Sequence, residues 1–232
     1  MTADSVELSS GFIEPPRLEW HNLRPFAIAR LPPDYARTLE QLALREEARI
    51  VELPVSEGWA NQAGENPTGA RYQSYNAFLL DSCTHTLYLA LRTTYRFLLT
   101  SIGAENKPRL CQAWCNVHRA GQKLLRHSHK AQFIGYFAAH AEGTQTLFGP
   151  SAVADDRDFP IVNLDGQIVV TTGMGHFHEV TPWADETRHR VSYAFNIVDQ
   201  GMTTKPETNR NPSVVIPFDG PDFAVLSDGA DS

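Results

Sequence analysis

Gln112-Ala113-Trp114-Cys115-Asn116-Val117-His118, then Ala120-Gly121-Gln122-Lys123, then Phe133-Ile134-Gly135-Tyr136-Phe137-Ala138-Ala139 is the stretch that decides the fold. Two runs rich in aromatic and aliphatic residues read as strands, and the glycine-containing segment after the first reads as a turn. Downstream the pattern continues. Thr144 to Phe148 reads as a third strand after a turn containing Gly143. Ile161 to Leu164 and Gln167 to Thr171 flank Asp165-Gly166, which predicts a hairpin. His178 to Thr181 and Arg190 to Val198 follow, with Asp185-Glu186 between them.

Upstream the character is helical. Leu31-Pro32-Pro33-Asp34 punctuates a helix start, and Leu39, Leu42, Leu44 and Ile50 recur at roughly helical spacing to about Val51. Residues 57–73 are rich in Gly, Asn, Gln and Pro and read as a loop. A long apolar helix is expected from about Ala77 to Ile102. Residues 1–30, with Pro15-Pro16, read as an irregular arm holding one or two short strands. The small, acidic tail from Ser227 is expected to fray. Helices first and strands second is the order of an α+β fold, with a sheet or barrel packed on helices.

The bulk numbers bound the answer. A chain of 232 residues with 42% hydrophobic content fits a single domain. No apolar run is long enough to span a bilayer, and the acidic, polar start from Met1 to Glu7 shows no secretory signal, so the expected address is cytoplasmic. Three cysteines do not make a disulfide framework, and Cys111 and Cys115 read as small core residues. A net charge of −7 argues against duplex nucleic acid as a partner.

The chemistry lies in His127-Ser128-His129, with His178 and Arg190 downstream. An H-x-H pair on a strand puts two imidazoles on one side, because side chains alternate. A third histidine from a distant strand completes one face of a metal site and leaves other positions open. On the strand from Arg190, alternation puts Arg190, Ser192, Ala194 and Asn196 on one face and Val191, Tyr193 and Phe195 on the other. An inward face of Arg, Ser and Asn suits a pocket for a carboxylate. Trp114, Asn116 and Tyr136 are candidates to line it, with core packing as the alternative for the two aromatics. His176 makes a second H-x-H with His178. A four-histidine zinc site is the competing reading, but it leaves Arg190 without a role. Arg188 reads as a solvent-face cation, and His21, His85, His118, His140 and His189 read as ordinary polar residues.

Taken together, Tyr72-Gln73-Ser74, Ala113 to Val117 with Gly121, His127-Ser128-His129, Gly135-Tyr136, Leu147-Phe148-Gly149-Pro150, His178-Glu179-Val180-Thr181-Pro182 and Arg190-Val191-Ser192 through Phe195-Asn196 resemble the iron(II)/2-oxoglutarate-dependent dioxygenases. The nearest likeness is to the group related to prolyl hydroxylases, over about residues 71–198. The resemblance implies a double-stranded β-helix, a jelly-roll or cupin-like barrel, with N-terminal helices packed on the major sheet. It divides the single domain 1–232 into an arm with supporting helices (1–105), a barrel core (106–200) and a C-terminal extension (201–232). It implies Fe(II) held by His127, His129 and His178, and 2-oxoglutarate gripped by Arg190 and Ser192, with Asn116, Trp114 and Tyr136 lining its pocket.

His129 departs from the pattern, since most of the superfamily carries Asp or Glu there. Neutral imidazole in place of a carboxylate raises the net charge of the metal site by one unit. The implied reaction is hydroxylation of a small biosynthetic molecule, with release of succinate and CO2. The expected partners are that substrate and O2, with no nucleic acid and no membrane; a homodimer is compatible with the sequence. The alternatives are a three-histidine cupin-like dioxygenase that does not use 2-oxoglutarate, and a non-catalytic metal-binding barrel. Loop 57–73 and segment 150–160 are expected to flank the site, with Asp155-Asp156-Arg157-Asp158 as a solvated cluster.

Overall fold

The computed structural model describes residues 11–21, 23–149, 158–200 and 213–220. Eleven strands and two long helices occur in the order β1 (Glu14–His21), β2 (Arg24–Arg30), α1 (Pro33–Val51), α2 (His85–Ile102), β3 (Arg109–His118), β4 (His127–Ser128), β5 (Phe133–His140), β6 (Gln145–Phe148), β7 (Phe159–Val162), β8 (Gln167–Thr172), β9 (Phe177–Val180), β10 (Arg190–Asp199) and β11 (Ile216–Asp219). The strands form a seven-stranded sheet in the order β1-β2-β8-β5-β10-β3-β11 and a four-stranded sheet in the order β4-β9-β6-β7. Pairing is antiparallel throughout both. The architecture is therefore α+β, two helices on two antiparallel sheets.

The large sheet is covered on both faces, which explains why β2 and β3 lack a polar alternation. One face takes the helices: Leu39, Leu42 and Ile50 of α1 and Leu87, Leu91, Tyr95 and Leu98 of α2 join Ala27, Phe137, Ile168, Tyr193 and Phe195 in the main core. The helical residues recur at three- and four-residue steps, so each helix presents one apolar stripe. The Tyr193 hydroxyl donates to the Leu39 carbonyl at 2.8 Å and ties β10 to α1. On the opposite face, Phe26, Ile28 and Val169 pack against Phe148 and Ile161 of the small sheet. The candidate site lies in this second space, between the sheets.

Several sequence expectations need correction. The long helix starts at His85, not Ala77. Residues 77–84 form two short turns instead, because Asn76 accepts from the Phe78 amide and Asp81 from the Cys83 amide. Asp165-Gly166 does make a tight turn, with Gly166 at φ 85°. It is not a hairpin, however: β7 pairs with β6 in the small sheet and β8 with β5 and β2 in the large one. The one or two short strands expected within residues 1–30 are β1 and β2, and in place of an irregular arm they extend the large sheet at one edge. At the other edge β11, read as extension, pairs with β3. Its Asp219 accepts from Arg96 of α2 at 2.6 Å. Cys111 and Cys115 are fully buried in the core. No helix among the described residues is long and apolar enough to cross a membrane.

Candidate metal centre

His127 stands directly opposite His178 in the β4–β9 register, and His129 follows one alternation step later in an isolated bridge to Met174. Directly opposed residues on paired strands bring their side chains together. The result is a cluster in which one ring nitrogen from each of His127, His129 and His178 lies within 4.8 Å of the others. Ring centroids are 4.4 Å apart for His127 and His178, 4.9 Å for His127 and His129, and 5.0 Å for His129 and His178.

The donor set fits a transition-metal ion. His127 Nδ1 lies 2.7 Å from the Leu125 carbonyl, which only accepts, so Nδ1 carries the proton and Nε2 keeps its lone pair. His129 Nε2 and His178 Nδ1 are buried without a hydrogen-bond partner. Burial pulls the pKa of all three imidazoles down, to about 3 for His129 and well below the ordinary range for His178. Neutral rings are the form that binds metal.

The cavity beside the triad runs between the sheets and is lined by Asn116, Tyr136, Arg190 and Ser192 as well as His127 and His178. Arg190 is 3% exposed and forms no ion pair with any described carboxylate. Its Nη1 donates to Ser192 Oγ at 3.2 Å and its Nε approaches Thr144 Oγ1 at 3.4 Å. Burial lowers its pKa to about 10, which still leaves it charged at neutral pH. A buried cation without a counter-ion is costly, so the pocket calls for an anion.

Asn116 does not merely line this pocket. It donates to Ser192 Oγ at 3.4 Å and accepts from Asn66 Nδ2 of loop 57–73 at 2.7 Å. Gly69 makes room for that contact, since a Cβ there would run into the side chains of Asn66 and Asn116. The Tyr136 hydroxyl is buried without a partner, and burial raises its pKa. Trp114 is buried with its ring 6.3 Å from that of His129.

Four residues matter more than the sequence suggested. His118, set aside as ordinary, lies in register with Arg190, and its Nδ1 is 3.4 Å from Arg190 Nη1. Guanidinium only donates, so Nδ1 accepts and the proton sits on Nε2, which is buried and unpartnered. The alternation that put Trp114 and Asn116 on one face extends to His118, and that signal was available. Trp59 of loop 57–73 packs edge-on to His127, with centroids 5.1 Å apart. Arg24 lies against the cavity wall, its Cζ 4.7 Å from the ring of Phe148, and the His176 Nδ1 is buried without a hydrogen-bond partner among the described residues. By contrast His140 pairs with Asp165 at 3.1 Å, and Arg188 with Glu40 at 3.1 Å. Asp158 pairs with Arg126 at 2.9 Å. Asp155, Asp156 and Arg157, like Pro150, lie outside the described residues.

The buried imidazoles set a pH dependence. His118, His129 and His178 have depressed folded pKa values, chiefly through burial. Below the unfolded histidine value near 6.5 the unfolded chain takes up protons that the fold refuses. Stability of the metal-free protein is therefore expected to be full above about pH 6.5 and to fall as the pH drops towards 4, by up to about 1.4 kcal/mol per pH unit per group. Urea midpoints measured between pH 7.5 and 4.5 test this; a flat profile would contradict the burial of these rings.

No family model matches this sequence, and no curated protein matches it either. Solved structures do. The chain is similar to a prolyl-4-hydroxylase from Pseudomonas putida, with TM-score 0.50 and 14% identity over 76% of this chain and 88% of that one. It is also similar to the non-heme alpha ketoglutarate dependent epimerase SnoN from nogalamycin biosynthesis, with TM-score 0.53 and 10% identity over 82% of this chain and 86% of that one. A third is the prolyl hydroxylase of Trichoplax adhaerens in complex with a hypoxia inducible factor peptide fragment, with TM-score 0.52 and 12% identity over 76% and 84%. At these identities the likeness is one of fold.

Proposed function

We propose that this chain is an Fe(II)/2-oxoglutarate-dependent oxygenase, acting in the cytoplasm, that hydroxylates a small biosynthetic molecule and releases succinate and CO2. On this reading the two sheets form a double-stranded β-helix. One observation carries it: three converging, buried imidazoles and a buried arginine without a carboxylate partner among the described residues share a single cavity. His127, His129 and His178 would hold the ion. Arg190 and Ser192 would bind the far carboxylate of 2-oxoglutarate, a charge-assisted contact that also answers the buried cation. The Tyr136 hydroxyl offers a further donor, and Asn116 fixes Ser192. When bound, iron and 2-oxoglutarate supply the oxidising chemistry with O2; the chain supplies orientation and exclusion of water. A cleft lined by Trp59, Trp114, His129, Lys130 and Asn196 gives a substrate its route to the triad. A three-histidine site that ignores 2-oxoglutarate would leave Arg190 unanswered.

The test is succinate release from 2-oxoglutarate in the presence of Fe(II) and O2, measured beside the metal content of the protein. Iron binding without 2-oxoglutarate binding would defeat the proposal.

His118 provides a finer check. If its Nδ1 orients Arg190, His118→Leu raises the half-saturating 2-oxoglutarate concentration about tenfold, the cost of one hydrogen bond to a charged group. The rate at saturation stays within about twofold. His118→Asn, whose Oδ1 replaces the lost acceptor, restores the half-saturation value. A role in packing alone predicts no difference between the two variants.

A further inference from the structure

Arg24 is a second guanidinium buried beside this cavity, 5% exposed and, like Arg190, without an ion pair among the described residues. Its Nε donates to Thr171 Oγ1 at 3.0 Å and its Nη2 to the Thr172 carbonyl at 2.6 Å. Its Nη1 is buried and has no hydrogen-bond partner. Thr171 and Phe148 form part of the cavity wall. The Arg24 Cζ lies 4.7 Å from the Phe148 ring centre, and that ring lies 5.6 Å from His178. Strand register puts the two arginines at opposite ends of the large sheet. Phe26, Thr171, Ile134 and Asn196 form one row across β2, β8, β5 and β10, whereas Arg190 opens β10 at the far end beside His118.

The charges do not balance. No Asp or Glu among the described residues lines the inner cavity. The rim of the outer cleft carries Lys130 and Glu57, one of each sign, so the imbalance belongs to the interior. If a divalent ion sits on three neutral imidazoles, it adds two positive charges to those of Arg24 and Arg190. A 2-oxoglutarate dianion cancels half of that total. Uncompensated charge away from water is strongly unfavourable. The His176 Nδ1 is also buried and unpartnered.

We infer that the cavity takes a second anion, a carboxylate on the substrate, held on the Arg24 side of the histidine triad. The inference rests on the metal and 2-oxoglutarate reading for its charge count and narrows the substrate to an acid. Arg24 Nη1 supplies the free donor, and the ring of Phe148 and the hydroxyl of Thr171 fix the guanidinium.

The test uses full-length protein loaded with redox-inert Zn(II) and saturated with 2-oxoglutarate, which fills the Arg190 end. Formate serves as the carboxylate probe, chloride as a free inorganic monoanion and formamide as a neutral mimic. Thermal midpoint and calorimetric titration are the readouts. Formate is expected to raise the midpoint saturably, formamide to have no effect, and chloride to bind at least about tenfold more weakly, the factor set by losing a paired hydrogen-bond geometry. Arg24→Gln is expected to lose the formate response while keeping the 2-oxoglutarate response; Arg24→Lys keeps both. Should Arg24→Gln fail to fold, Thr171→Val frees the guanidinium and is expected to weaken formate binding. No formate response in the parent protein, an undiminished response in Arg24→Gln or in Thr171→Val, or chloride equal to formate would each overturn the assignment. If 2-oxoglutarate fails to bind but formate binding still depends on Arg24, the oxygenase reading falls and the anion site stands.

Discussion

His178→Ala is expected to empty the metal site: Fe(II) content falls from about one ion per chain to near zero after desalting, and succinate release falls at least about a thousandfold. The magnitude follows from coordination. Loss of a group that only supports a ligand costs 10–100-fold, and loss of the ligand itself exceeds that. His178 is also the one ring that comes from a different segment, in register with His127 and parallel to His129 within 4°. Alanine leaves two imidazoles from one H-x-H segment, which is too few to hold an ion against buffer. The fold is expected to survive, because β9 keeps its backbone pairing with β4 and β6. Elemental analysis and circular dichroism on the same sample check the prediction. Stoichiometric iron in a folded His178→Ala protein would remove this residue from the centre.

Arg190→Ala is the second large effect. The half-saturating concentration of 2-oxoglutarate is expected to rise about a hundredfold or more, as truncation of one member of a buried charged pair costs 2–5 kcal/mol. The metal-free protein behaves differently. There Arg190 is a buried cation whose partners are Thr144, Ser192 and His118, all neutral. Removing an uncompensated charge relieves a cost, so the thermal midpoint of the metal-free variant is expected to be unchanged or higher. A destabilised protein with ordinary 2-oxoglutarate saturation would mean that Arg190 serves the fold and not the co-substrate.

Much of the site was legible because β-strand alternation is a short-range rule. Arg190 and Ser192 fall on the cavity face, and Val191 and Tyr193 reach the core under the helices, as period two requires. The same period of two along β3 places His118 beside Trp114 and Asn116. What stayed hidden was pairing between distant segments. The turn at Asp165-Gly166 is local and was read correctly. The departure of β7 and β8 into different sheets depends on partners elsewhere in the chain, and a local hairpin pattern contains no information about them. Arg24 was invisible for the same reason. Nothing in its neighbouring residues marks it, and only the pairing of β2 with β8 carries it to Thr171. The start of α2 lies later than the apolar pattern implies, because apolar residues continue upstream through Phe78 and Leu80 while Asn76 and Asp81 divert the backbone into turns.

Trp59 and Trp114 have one more consequence. Each indole leans on a different member of the histidine cluster, Trp59 on His127 at 5.1 Å and Trp114 on His129 at 6.3 Å. Ultraviolet emission from half of the protein's four tryptophans thus originates at the mouth of the pocket. An open-shell ion seated there would dim that glow and a closed-shell one would spare it, so the polypeptide would carry a built-in optical gauge of any ion bound there.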